Sequence, residues 1–372
     1  MTEKVRLEVL TTPSNGDGVR RQIEKTIESN RKNFDFVMKQ IPHMESAVET
    51  LQNGHGDLLA MSAHQWKDLP TQGLSIVGVL PRREPTWVLV SEDKPEYLLS
   101  KAIVVCDNVL LRRQMRRLRA DLNLMTSEAF AQHISNTHRF ESLEREDRIH
   151  WLEEMRQDEV LDGYIVSRGE HAELKFKSRR HTLGLQRENP ERTHFVPPPL
   201  HGFTLLVARN GFPSASVQIM CDNGAFIAHR MEVAFLASIE EELHPITGIF
   251  VEQRKISAIL REANRSNDEQ TLDGVLDIEK NIKTPGPRLE MRIETLNHHG
   301  TVTAGAERVC PVEESHMGMV NVLKEFQNLL EMMQMGHDEI PRQHTGLSEE
   351  FSMARPGLLD LSTIHSVSSE EE

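Results

Sequence analysis

The amino-acid sequence predicts an α/β fold with a smaller α+β part toward its C-terminal end. Short apolar runs alternate with helix-period segments from about residue 5 to residue 209, and strands bracketing a helix recur between about 246 and 300. The 372 residues, 38% of them hydrophobic and 27% charged, suffice for two or three modest domains with cores of their own.

The elements follow in order. VRLEVL at 5–10 alternates as a strand, and TTPSNGDG after it is a polar turn. Residues 19–38 are expected to hold one or two helices, and HMESAVETLQN at 43–53 a helix closed by Gly54. Short strands are predicted at 57–61, 73–80, 86–91 and 103–105, then a basic helix at 109–122. The charged stretch 127–158 is helix-compatible, DGYIVSRG at 162–169 is a strand running into a turn, and 172–200 reads as loop. A strand at 203–209 precedes a helix at 231–243 whose Ala234, Phe235, Ile239 and Leu243 share one face. Strand signals at 246–252 and 289–300 flank a helix at 256–265. In the helix at 315–335, Met319, Val322, Leu323, Phe326, Leu329, Leu330 and Met333 recur at helical spacing; packing on its own domain and docking a partner are both open to it.

The formal charge of −14 disfavours nucleic acid and anionic membranes as general partners. No run of eighteen apolar residues occurs, so no membrane span is expected. Cys106, Cys221 and Cys310 are far apart and form no metal-binding pair; no metal site is expected. The odd cysteine count and the lack of an apolar leader segment predict a reducing, cytoplasmic setting, with an organelle as the alternative.

Two blocks resemble the porphobilinogen deaminase (hydroxymethylbilane synthase) family. In DLLAMSAHQWKDLPTQGLSIVGVLPRREPTWVLVS at 57–91, His64, Lys67, Asp68, Pro70, Thr71, Gly73, Arg83, Glu84 and Pro85 fall in register with that family's His-Ser-x-Lys-Asp-x-Pro-Thr and Arg-Glu-x-Pro signatures. IVVCDNVLLRRQMRRLRADLNL at 103–124 is similar to its strand, turn and Leu-Arg-Arg-Gln helix. Weaker likenesses preserve the family order to about residue 300. The resemblance implies two periplasmic-binding-protein-like α/β domains and a small α+β third domain. Domain 1 would comprise 1–98 plus 194–212, and domain 2 would comprise 99–193 with 127–158 as a charged insert. Domain 3 would be 213–305, and 306–372 would carry the 315–335 helix and a disordered acidic tail.

By the same resemblance, Asp68 is the catalytic carboxylate that assists ammonia loss, and Lys67, Arg112 and Arg113 bind substrate and cofactor carboxylates. Read from the residues alone, Asp68 is a cap before Pro70, Lys67 is a solvated lysine, and Arg116, Arg117 and Arg119 form a solvated face. Leu243 stands where the family's cysteine carries a dipyrromethane cofactor, so no such cofactor is expected. Asp107 replaces neutral donors of the anion-binding turn, Leu200-His201-Gly202 replaces a Gly-Gln-Gly crossover, and the family's first strand is expected to be missing, leaving an open sheet edge. His201 reads as hinge packing and Cys221 as core. Together these departures predict a degenerate relative, a binding or assembly protein with an anionic-ligand cleft between domains 1 and 2 and a protein interface at 127–158 or 315–335. The alternatives are an active deaminase of tetrapyrrole and heme synthesis and an unrelated binding role.

Overall fold

The computed structural model describes residues 5–13, 16–187 and 193–334; the acidic tail lies outside them. The chain opens with β1 (Val5–Thr11), whose alternation puts Leu7 and Val9 on one face and Leu10 on the other. Val19, Ile23 and Ile27 bury one face of α1 (Val19–Asn30) against Leu7 and Val9. The helix ends there, and the expected helical stretch 19–38 finishes instead in a strand, β2 (Phe34–Gln40). A turn closed by Asn33 N–H donating to Asn30 O (2.9 Å) separates the two. Then come α2 (Met44–Gln52), β3 (Leu58–Ser62), α3 (Ala63–Asp68) and β4 (Leu74–Val79). All five residues of β3 are buried, as in a strand covered on both faces.

The chain next crosses to a second sheet. There it forms β5 (Trp87–Ser91), β6 (Ile103–Val105), α4 (Val109–Leu118), β7 (Asn123–Met125), α5 (Ser127–His133), α6 (Thr137–Glu141), α7 (Arg145–Gln157), β8 (Gly163–Ser167), α8 (Arg168–Glu173) and β9 (Arg180–Leu183). It returns as β10 (Thr204–Arg209) and then builds α9 (Asn223–Leu236), β11 (Thr247–Arg254), α10 (Ile256–Ser266), α11 (Glu269–Val275), β12 (Arg288–Leu296), β13 (Thr303–Pro311) and α12 (Ser315–Gln334).

The first two sheets share one plan, β2-β1-β3-β10-β4 and β7-β6-β8-β5-β9. In each, four strands run one way and a single antiparallel strand, β10 or β5, which the chain delivers directly from a crossover, lies between the third of them and the edge strand β4 or β9. Trp87–Ser91, inside the span expected for domain 1, is therefore a strand of the second sheet. β1 is not the edge of its sheet: it is paired along its whole length with β2 and at Val9 and Leu10 with β3, so the sheet edge falls on β2, formed by residues read as helix.

The stretch 127–158 is not a free charged insert. Its helices α5–α7 fold around Trp151, Phe130 and Phe140, all buried, and supply one side of the second domain's core. In the third domain, β11-β12-β13 is an antiparallel sheet, with α12 laying Met319, Val322, Leu323, Phe326 and Leu330 on one face. The apolar stripe of 315–335 is thus used inside the protein. The expected loop at 172–200 contains the short edge strand β9, paired with β5 alone.

Candidate functional site

The ends of β1, β3 and β8 carry the turns that lead into α1, α3 and α8. β3 and β8 carry the same device: Ser62 accepts from Gln65 N–H, Ser167 accepts from Glu170 N–H, and each partner side chain bonds back to the serine amide. These are capping boxes, and the Ser-x-x-Gln and Ser-x-x-Glu spacings were a readable signal for them. The turn before α1 touches the first turn of α8. A Cβ on Gly16 would stand 2.6 Å from Glu170 Cγ, and one on Gly169 would stand 3.4 Å from Gly16 O, so the lips of the cleft are in contact.

Behind the lips run the two crossovers. Gly202 has φ +85°, and a Cβ there would lie 2.7 Å from Arg83 O, so only glycine lets the strands pass so closely. Arg82 donates to both carboxylate oxygens of Glu232 (2.7 and 3.4 Å), to His201 O and to Val251 O. Glu232 also accepts from Leu200 N–H and Val251 N–H. Burial pushes the Glu232 carboxyl upward, and Arg82 with the two amides pulls it back. Sequence reasoning missed this pair; the signal was a lone glutamate inside the apolar run Met231–Leu236. His201 stacks on Trp87 (centroids 5.2 Å apart), and its pKa falls to about 3 through burial, then through His64, Arg82 and Arg83. The hinge-packing reading of His201 matches this placement.

Asp68 closes α3 and is exposed, as is Lys67. Lys67 Nζ lies 3.4 Å from His244 Nδ1, while His244 Nε2 lies 3.0 Å from Leu236 O. Since a carbonyl only accepts, Nε2 carries the proton and Nδ1 is free to accept from the lysine. The 241–246 turn of the third domain therefore sits against the Lys67–Asp68 loop and also packs on α4. His64, one turn back, opens to solvent at its edge; burial by the surrounding walls still lowers its pKa, with Asp68 opposing.

The arginines of α4 divide. Arg112 Nη1 donates to Cys106 O at the head of the helix (2.6 Å). Arg113 is buried and turned to the third domain, where Nη1 donates to Leu296 O (2.6 Å); burial, then Arg116 and Arg112, lower its pKa to about 10. Among the described residues no hydrogen bond or ion pair joins either arginine to Lys67 or Asp68. The expected solvated face is docked as well. Arg116 donates to His298 O (3.0 Å), Arg117 to Glu294 (3.1 Å) and His194 O, and Arg119 to the carbonyls of Pro95, Glu96 and Leu98. Gly300 (φ +69°) seats the β12–β13 turn on this helix; a Cβ there would come within 2.5 Å of Arg113 O. Asp107 accepts from Ser127 N–H and Oγ (2.7 and 2.6 Å), so its charge caps α5.

The dipyrromethane carrier of the deaminase family does not fit these residues. Leu243 is 3% exposed and belongs to a core cluster with Phe235 and Ile246. No cysteine substitutes: burial pushes the thiol of Cys106 to about 12 and that of Cys221 to about 11, and raises that of Cys310. No group of three or more metal-ligating side chains occurs among the described residues, and no helix there is long and apolar enough to cross a membrane.

The molecule is thus a pair of mixed-sheet α/β domains with a small α+β third domain. Similar solved structures include YhfZ from Shigella flexneri (14% identity, 62% of this chain and 96% of that one, TM-score 0.30) and lipoprotein Tp32 from Treponema pallidum (12%, 63% and 96%, 0.33). The periplasmic aliphatic sulphonate binding protein SsuA from Escherichia coli is another (17%, 71% and 75%, 0.29). No family model and no curated protein sequence matches the chain. The expected cytoplasmic setting is corrected by these neighbours, which include a periplasmic protein and lipoproteins; it is not retained.

Proposed function

We propose that this chain is a non-catalytic, small-molecule-binding relative of the deaminase fold, taking an anionic ligand in the cleft between its first two domains. The observation that carries this is Leu243. The one position from which the deaminase resemblance would hang a covalent cofactor is a buried leucine. Lys67 and Arg112 are the cations proposed to meet the ligand, with Asp68, next to Lys67 in the chain, as the carboxylate of the same proposed site. Arg113, expected in the same role, serves the contact between α4 and the third domain. Ligand entry requires the Gly16 and Gly169 turns to part, a hinge motion available to two domains joined by crossovers.

The second reading is hydroxymethylbilane synthase, which joins porphobilinogen units with loss of ammonia in tetrapyrrole and heme synthesis, with Asp68 as the catalytic carboxylate. The exposed Lys67–Asp68 loop favours it. One experiment separates the two. The full chain is incubated with porphobilinogen, its intact mass is measured, and hydroxymethylbilane is assayed. Unmodified mass and no product, with porphobilinogen binding weakened at least about tenfold by Lys67→Glu, is the expected result. A dipyrromethane mass increment with turnover would establish the deaminase instead.

A further inference from the structure

A groove of about 1080 Å³ runs along the outer edge of β9, between the 82–86 crossover and β11 of the third domain. Its volume is that of a ligand pocket. Lys67, Asp68, Arg112 and Arg113 do not border it, so it is separate from the cleft.

The lining has more donors than acceptors. Its carboxylates are engaged: Glu84 with Arg168 (3.1 Å) and Glu252 with Arg187 (2.9 Å), while Glu96 also has a partner. Arg82 is engaged by Glu232. Three lining cations, Arg83, Lys94 and Arg180, have no carboxylate ion pair among the described residues, and Arg83 is held by Gln22 Oε1 and Asp17 O. Lys94 is exposed, and the hydrogen-bond partner of Arg180 is His171 Nδ1 (3.1 Å). His181 Nε2, Thr86 Oγ1 and Arg187 Nε are buried atoms without a hydrogen-bond partner. Such atoms are costly unless an incoming group satisfies them. Beside them the wall is apolar, with Leu183, Phe195 and Pro197 lining the groove and Phe250 lying beneath the guanidinium groups of Arg82 and Arg187 (5.1 and 5.2 Å to the ring centroid).

We propose that this groove binds a small molecule that joins an oxyanion, carboxylate or phosphate, to an apolar body. Lys94 holds the oxyanion beside His181, and the apolar body lies along the Phe195–Pro197 wall on the same face of β9.

The test uses the full chain and anilinonaphthalene sulfonate, a fluorescent oxyanion with an apolar body. Saturable binding is expected. It should weaken about tenfold in Lys94→Glu, and stay within about twofold of the parent in Lys67→Glu. Citrate and inorganic phosphate are then added as competitors. Displacement by citrate assigns a carboxylate ligand, and displacement by phosphate assigns a phosphate ester. The proposal is overturned if Lys94→Glu binds the dye like the parent, if Lys67→Glu loses as much, or if neither anion competes. Lys94 is exposed, so its substitution leaves the core packing untouched. The porphobilinogen measurement and the Lys67→Glu arm report on the cleft, so failure of one site leaves the other standing.

Discussion

Arg82 Nη1 lies 2.7 Å from Glu232 Oε1, and the same guanidinium lies over the ring of Phe203, 4.0 Å from its centroid. One ion pair thereby links the first crossover, the second crossover and the third domain. Removing one member of a buried pair leaves the other uncompensated, at a cost of about 3–5 kcal/mol. Glu232→Ala should lose about 3 kcal/mol, near the lower end, because Arg82 keeps its bonds to His201 O and Val251 O. The double variant Arg82→Met, Glu232→Leu should recover part of that loss. Urea denaturation of both variants checks the difference; equal losses would show that charge pairing is not the source.

His201 gives a pH dependence with a definite sign. Its pKa in the folded chain is about 3, against an ordinary value of 6.5. The unfolded chain therefore binds the proton more readily, and the stability present above pH 6.5 is lost as pH falls toward 3. His201→Phe preserves a ring against Trp87 and removes that proton uptake. The urea midpoint of the variant should fall less steeply than the parent's between pH 6.5 and 4, with His64, Arg82 and Arg83 unchanged around it.

Glu153 works in the acid range of the second domain. Burial raises its pKa, but hydrogen bonds from Arg156, Ser178, Gln157 and Tyr164 outweigh this and bring it to about 2. A carboxyl with a depressed folded pKa contributes stability above its unfolded value that is lost as pH falls. Glu153→Gln should be destabilised at pH 7 and should show a flatter decline between pH about 4.5 and 2, measured by circular dichroism at fixed urea.

Restoring the family's nucleophile should not restore its chemistry. In Leu243→Cys the thiol enters a core cluster, where burial raises its pKa and shields it. The expected outcome is no mass increment with porphobilinogen under native conditions, and a stability loss of about 1–3 kcal/mol from the lost apolar volume. A native dipyrromethane adduct would show that the 241–246 turn opens in solution.

Gly300→Ala tests how α4 is held. The added methyl must displace backbone at Arg113 and Arg117 or shift the φ +69° turn. A loss of about 1–3 kcal/mol is expected, together with weaker amide-exchange protection in the 109–118 helix.

Much of this architecture was readable from local pattern. The apolar alternation of 5–10, the Gly-Leu strand at 73–80 and the heptad-like stripe of 315–335 each form the element expected of them. β2 escaped because Phe34-Asp-Phe-Val-Met-Lys follows a helix with little punctuation, and what makes it a strand is pairing with β1. β9 escaped because Arg-His-Thr-Leu is short, basic and supported from one side. The Lys67–Asp68 loop was legible from its motif and lies exposed beside the third-domain turn. The destination of Arg113 was not, since its partner is a main-chain carbonyl, and any residue at position 296 would supply one. Glu232 was hidden for a related reason: three of the bonds that explain it come from groups remote in sequence.

The core on one face of the first sheet does not stop at a domain boundary. Leu10, Met61 and Val207 belong to the same buried cluster as Phe235, Ile249, Met291 and Phe326 of the third domain, whereas the second domain keeps two clusters of its own. Heating should therefore melt the first and third domains as one cooperative unit and the second as another. A protein cut within the 81–86 crossover would release no independently folding first domain, because one face of that domain's sheet is covered by residues more than a hundred positions further along the chain.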